Sequence, residues 1–226
     1  MTASNIWRYI ISFVFLLATV KTIAQQDTIS PVKKSRPYAI RIGYDIGKKI
    51  WSGINRGNID EIHLQFSRRK NIIGFYAGTE RMPYVHPKYQ FVTKGRYIKI
   101  EYAYNFYENW GDMHNAITLG FRYGRAFFDY HITSVSTAPQ AFWPQRVMDT
   151  DIRYNNLNAH WLETTASVKT EIFHGFFLEL YVSGKYFLNG SHPANFDMLY
   201  VPGFYRTNIS RFGFGLGYGI SYRIGL

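Results

Sequence analysis

The sequence predicts an all-β chain folded as an eight-stranded antiparallel transmembrane β-barrel, and three observations predict it. Apolar residues recur at every second position in eight separate segments, the periodicity of a strand with two unlike faces. The opposite face is built from glycine and from charges of both signs. The connectors alternate short and long, as in barrels that turn tightly on one side of a membrane and loop freely on the other.

Each segment carries the alternation in its own residues. The first sets Tyr38, Ile40, Ile42, Tyr44 and Ile46 against Ala39, Arg41, Gly43 and Asp45. The second and third set Ile62, Leu64 and Phe66 against Glu61, His63 and Gln65, then Ile73, Phe75 and Ala77 against Gly74, Tyr76 and Gly78. In the fourth, Ile98, Ile100, Tyr102, Tyr104 and Phe106 oppose Lys99, Glu101, Ala103 and Asn105. The fifth opposes Ile117, Leu119, Phe121 and Tyr123 to Thr118, Gly120, Arg122 and Gly124. The sixth, the least apolar, has Leu162, Ala166, Val168 and Ile172 against Glu163, Ser167, Lys169 and Glu171, and the seventh has Phe176, Leu178, Leu180 and Val182 against Glu179, Tyr181, Ser183 and Lys185.

The last segment, RFGFGLGYGISYRIGL, is the clearest. Phe212, Phe214, Leu216, Tyr218, Ile220, Tyr222, Ile224 and Leu226 alternate with four glycines, Ser221, Arg223 and Gly225. Glycine weakens a soluble strand, but it suits the crowded interior of a narrow barrel. The short connectors fall at 67–71, 107–115 and 173–175, and the long ones near 47–60, 80–96, 128–158 and 188–209.

Charge decides which face looks inward. Arg41, Lys99, Arg122, Lys169, Lys185, Arg211 and Arg223 share the glycine face with Asp45, Glu61, Glu80, Glu101, Glu163, Glu171 and Glu179, seven of each sign. A soluble ligand-binding barrel needs an apolar lumen. Here the arrangement is reversed, so the apolar face is assigned to lipid and the charges to a paired network inside.

The N-terminus carries Arg8, an apolar run from Tyr9 to Val20, and small residues Thr22 and Ala24 before Gln25. This reads as a signal peptide over 1–24 cleaved after Ala24, too short for a spanning helix. A periplasmic segment 25–37 and a barrel 38–226 would follow, in the outer membrane. The chain has no cysteine, which excludes disulfides, thiol catalysis and Cys-based metal sites. Its net charge of +11 loses two with Arg8 and Lys21, leaving about +9 on the exported part. An exported basic surface points to anionic lipid, and no nucleic-acid motif is present. Lys33, Lys34 and Arg36 are assigned to the periplasmic side, and Arg81, Lys88, Lys94 and Arg96 to lipopolysaccharide phosphates.

The terminal RFGFGLGYGISYRIGL resembles the C-terminal targeting strand of bacterial outer-membrane barrels, which implies the barrel-assembly machinery as a partner during biogenesis. Leu226 stands where many such proteins end in Phe. NFYENW (105–110), FRYG (121–124), AHWLE (159–163) and NFDMLYVPGFYR (195–206) resemble an uncharacterised Bacteroidota family of small outer-membrane barrels, a domain of unknown function. The architecture is similar to OmpA- and OmpX-type eight-stranded barrels. The resemblance covers about residues 37–226 and adds no catalytic, metal or cofactor site.

The long connectors hold the remaining candidates. Phe142 and Trp143 in 128–158, with Phe204 and Tyr205 in 188–209, are aromatic anchors of the kind enriched at interfaces, so an envelope protein partner is expected there. The second of these connectors also reads as a cap resting on the first. Asp149 and Asp151 lack the further oxygen ligands of a calcium loop. His131, His160 and His192, near Ser134 and Ser191, sit where a lipid A-modifying enzyme would need them, but no hydrolase or metalloprotease signature accompanies them. The expectation is a structural or partner-docking protein that is not an enzyme and has no cofactor. A lipid A-modifying enzyme and a narrow ion-conducting barrel are the alternatives.

Overall fold

The computed structural model describes residues 38–86, 89–108, 114–136, 147–191, 199–206 and 211–225. Residues 1–24, read as a signal peptide, the segment 25–37, Lys88, Phe142, Trp143, His192 and Leu226 lie outside the described residues. Eight strands close one antiparallel ring: β1 (Tyr38–Tyr44), β2 (Asn58–Arg68), β3 (Asn71–His86), β4 (Tyr89–Asn105), β5 (Ala116–Ser136), β6 (Val147–Phe173), β7 (Phe176–Gly190) and β10 (Phe212–Gly225). Their order around the ring is β1-β10-β7-β6-β5-β4-β3-β2. A two-stranded hairpin, β8 (Tyr200–Val201) and β9 (Tyr205–Arg206), and one helix, α1 (Ile46–Ile54), complete the described elements.

The registers set the barrel's dimensions. From Ile224 the ladder runs through Ile40, Phe66, Ile73, Tyr102, Phe121, Thr164 and Gly184 and returns to β10 at Phe214, ten residues from its start. A stagger of that size over eight strands tilts each strand by about 40° and gives a radius of about 8 Å, an interior that side chains can fill. Each residue then rises about 2.5 Å along the axis, so about ten residues cross a 25 Å apolar band.

Exposed apolar side chains face outward on all eight barrel strands, among them Ile42, Leu64, Phe75, Ile100, Phe121, Leu162, Leu180 and Ile220. Inward residues are buried and largely polar. Among the described residues six cations (Arg41, Lys48, Lys99, Arg122, Lys169, Lys185) and six acids (Asp45, Glu61, Glu80, Glu101, Glu163, Glu179) are buried.

Three of the long connectors are more structured than expected. The segment 80–96 is mostly the continuation of β3 and β4, which pair out to His86 and Tyr89. Most of 128–158 is likewise strand, since β5 and β6 pair beyond Phe128 with two register shifts, bulges that bend a ladder without ending it. The segment 47–60 holds α1. Asp45 ends β1 because its carboxylate caps the helix, accepting from Lys48 N at 2.9 Å. Ile50, Trp51 and Ile54 point out while Lys48 and Ser52 are buried, so the helix repeats the polar-in, apolar-out order of the strands.

Candidate functional site

The lumen charges form a connected network. Lys48 Nζ reaches down from α1 to Asp45 (3.1 Å) and Glu61 (2.5 Å). Lys99 joins Glu61 (3.4 Å) to Glu163 (3.3 Å). Glu163 also meets Lys185 (3.8 Å) and Arg122 (3.9 Å). Arg122 Nε donates to Glu101 at 2.8 Å, and Glu101 further accepts from Tyr76 (2.6 Å) and Thr165 (3.1 Å). Lys169 donates to Gln65 (2.5 Å) and pairs with Glu179 (3.2 Å), and Glu179 lies 3.6 Å from His63. Arg41 is held over the Phe177 ring, 4.5 Å from its centroid. A void of about 10 Å³ remains beside Asp45, Glu61, His63 and Arg122, room for about one water.

Not every inward assignment matches its place in the fold. Arg211 is exposed, because the ladder of β10 begins only at Phe212. Glu171 and Arg223 are half-buried at the end with the short turns, and Glu171 there accepts from the backbone of His114 and Gly175 (3.0 and 2.9 Å). Beyond that end Lys70 donates to Glu108 at 2.7 Å, a bond that holds the exposed Glu108 carboxyl below its usual value. Asp45 is buried, but as the cap of α1. Lys48 joins the network although 47–60 has the composition of a connector; its sequence signal is Asp45 as a helix cap followed by Ile46, Ile50 and Ile54 at helical spacing.

Above the charges the interior becomes apolar. Met82, Phe91, Phe128, Tyr130, Ile132, Leu157, Trp161, Val201 and Phe204 form one buried cluster. The β8–β9 hairpin supplies its centre and is tied to the wall: Tyr200 and the Gly203 N–H donate to Glu80, Lys185 donates to the Gly203 carbonyl at 2.8 Å, and Tyr130 bonds the Tyr200 backbone. Phe204 is therefore a plug residue. It is 1% exposed and packs edge-on against Trp161 and Phe187, so it offers no partner a surface. Tyr205 faces Trp51 and Tyr200. Phe204→Ala should cost about 3–5 kcal/mol of unfolding free energy, read by urea titration of the barrel in vesicles.

The inward glycines serve aromatics more than ions. Gly78 is opposite Tyr97 and Gly124 opposite Trp161, and a Cβ at either would stand 2.3 or 2.4 Å from the ring.

At the rim, His131 and His160 each have a side-chain partner among the described residues. His131 Nε2 lies 2.6 Å from Asp151, and Arg153 Nε donates to the same carboxylate at 3.0 Å, so Asp151 is engaged by an imidazole and a guanidinium. His160 meets Tyr123 at 3.3 Å. No group of His, Asp and Glu able to hold a metal ion occurs among the described residues.

A family model described as Domain of unknown function (DUF6048) matches residues 6–226. No curated protein matches the sequence. Among solved structures, the N-terminal β-barrel domain of Pseudomonas aeruginosa OprF aligns at 8% identity and a TM-score of 0.42, covering 84% of this chain and 98% of that one. Neisserial surface protein A aligns at 10% identity and 0.44, covering 86% of this chain and all of the other.

Proposed function

This chain belongs to the DUF6048 family, and we propose that it is an integral outer-membrane barrel with a closed lumen, acting as a structural or partner-docking element of the envelope and not as an enzyme or a channel. The observation that carries this reading is the inverted cross-section. Exposed apolar side chains belt the outside while a balanced set of buried charges fills the inside, an arrangement that lipid stabilises and water does not. The near-filled lumen, narrowed by the network and closed above by the β8–β9 plug, opposes conduction. The leader-like residues 1–24 and the alternating final strand support export and assembly into the outer membrane by the barrel-assembly machinery.

Lipopolysaccharide is the proposed lipid partner. Arg81, Lys94, Arg96 and Arg125 are exposed on the outer face of β3, β4 and β5, just above Ala77, Ile98 and Tyr123 of the belt. Arg81 is directly opposite Lys94, and Arg125 opposite Ile98. Each cation beside an anionic membrane surface contributes about 1 kcal/mol. The triple variant R81Q/R96Q/R125Q should therefore bind vesicles carrying bisphosphorylated lipid A about a hundredfold more weakly, by flotation, with little change for uncharged vesicles.

The test of the whole reading is a mild-detergent pull-down from native outer membranes, paired with planar-bilayer recording. A stoichiometric envelope partner without conductance is the expected result. Steady conductance sensitive to Arg122→Gln would replace it with a channel. A lipid A mass shift on deletion, reproduced by His131→Ala, would replace it with an enzyme.

A further inference from the structure

β1 and β10 close the ring over only part of β10. Their ladder runs from Ala39 opposite Gly225 to Tyr44 opposite Ile220 and stops there, because Asp45 turns the chain into α1. Among the described residues the edge of β10 from Gly213 to Tyr218 has β7 on one side and no strand on the other. Part of this edge lies at belt height, since Leu216 is opposite Val182 and Tyr218 opposite Leu180. An open strand edge is not tolerated against lipid unless protein or a cavity covers it. α1 covers its lower end, where Gly47 abuts Tyr218. Above that point the edge borders a cleft of about 930 Å³ between α1, β3 and β10, a size typical of small-molecule sites.

The lining suits an amphiphile. Trp51, Met82, Tyr84, Tyr205, Phe214 and Leu216 supply apolar and aromatic surface. Phe214 and Leu216 are 86% and 81% exposed, the most open large apolar residues among those described. Arg56, exposed and without an ion pair among the described residues, stands at the α1 end of the same cleft. We propose that this cleft is a lateral binding site for one anionic acylated lipid, its chain against Trp51 and Leu216, its ester carbonyls at the β10 edge and its phosphate at Arg56. The proposal rests on the membrane reading above, because only a chain seated in a bilayer brings that seam to lipid.

The test uses the full barrel in lipid nanodiscs, labelled with 5-fluorotryptophan, with the Trp51 resonance assigned by W51F. Doxyl-chain phosphatidylglycerol or phosphatidylcholine is titrated in, and ¹⁹F line broadening is compared with that of F121W, a reporter on the belt. The expected result is saturation at Trp51 at a probe fraction several-fold lower than at F121W, with phosphatidylglycerol preferred, and a loss of that preference by about fivefold in R56Q. Broadening at Trp51 that only tracks F121W would mean ordinary surrounding lipid and overturn the site. A Trp51 line unaffected while F121W broadens would mean that protein, from this chain or a second copy, fills the cleft. An F121W line that stays sharp would instead overturn the membrane reading itself.

Discussion

Ile100→Lys is expected to lower the unfolding free energy of the barrel in a bilayer by about 2–4 kcal/mol, the cost of a cation near the middle of the apolar band. Ile100 is half-exposed on the outer face of β4, and its direct neighbours there, Ile98 and Tyr102 along the strand and Phe75 and Tyr123 across it, are apolar or aromatic. The same substitution in a water-soluble barrel would be close to neutral, because an exposed Lys is well hydrated. Urea titration in vesicles measures the difference. An unchanged midpoint would require the outer face to meet water, and the assignment of the belt would fall with it.

Glu101→Ala is expected to destabilise the barrel by about 3–5 kcal/mol, since it leaves the buried Arg122 without its closest carboxylate. Arg122 Nε is 2.8 Å from Glu101 and its next acid, Glu163, is 3.9 Å away. Tyr76 and Thr165 would lose an acceptor as well. The double variant E101L/R122M removes the charge with its partner and should recover most of the loss, because a buried pair replaced by apolar side chains of similar volume is often neutral. Equal stability of the single and double variants would show that Arg122 is neutralised elsewhere and that the network is not cooperative.

The two faces were legible residue by residue for β2, β4, β5, β7 and β10 within the belt, because a strand's faces are set by its own alternation and the barrel holds one environment on each side. Above the belt the environments exchange sides. In β5, Phe128, Tyr130 and Ile132 point inward while Asp129 and His131 point outward, so the in–out alternation of the strand continues through the bulged stretch as the apolar phase inverts. Equating apolar with outward therefore ends the strand there and leaves 80–96 and 128–158 as loops.

The antiparallel eight-strand count, the outward apolar side chains and most of the lumen charges can be read from the residues alone, since each follows from a period of two within one segment. What the charges touch, that Phe204 fills the mouth, and that β1 stops short and leaves the seam beside β10 follow only from how the strands assemble. Those outcomes depend on the ten-residue stagger and on the placement of α1 and the β8–β9 hairpin. Residues as distant in sequence as Glu80 and Tyr200, or Asp45 and Tyr181, are bonded only once the ring has closed.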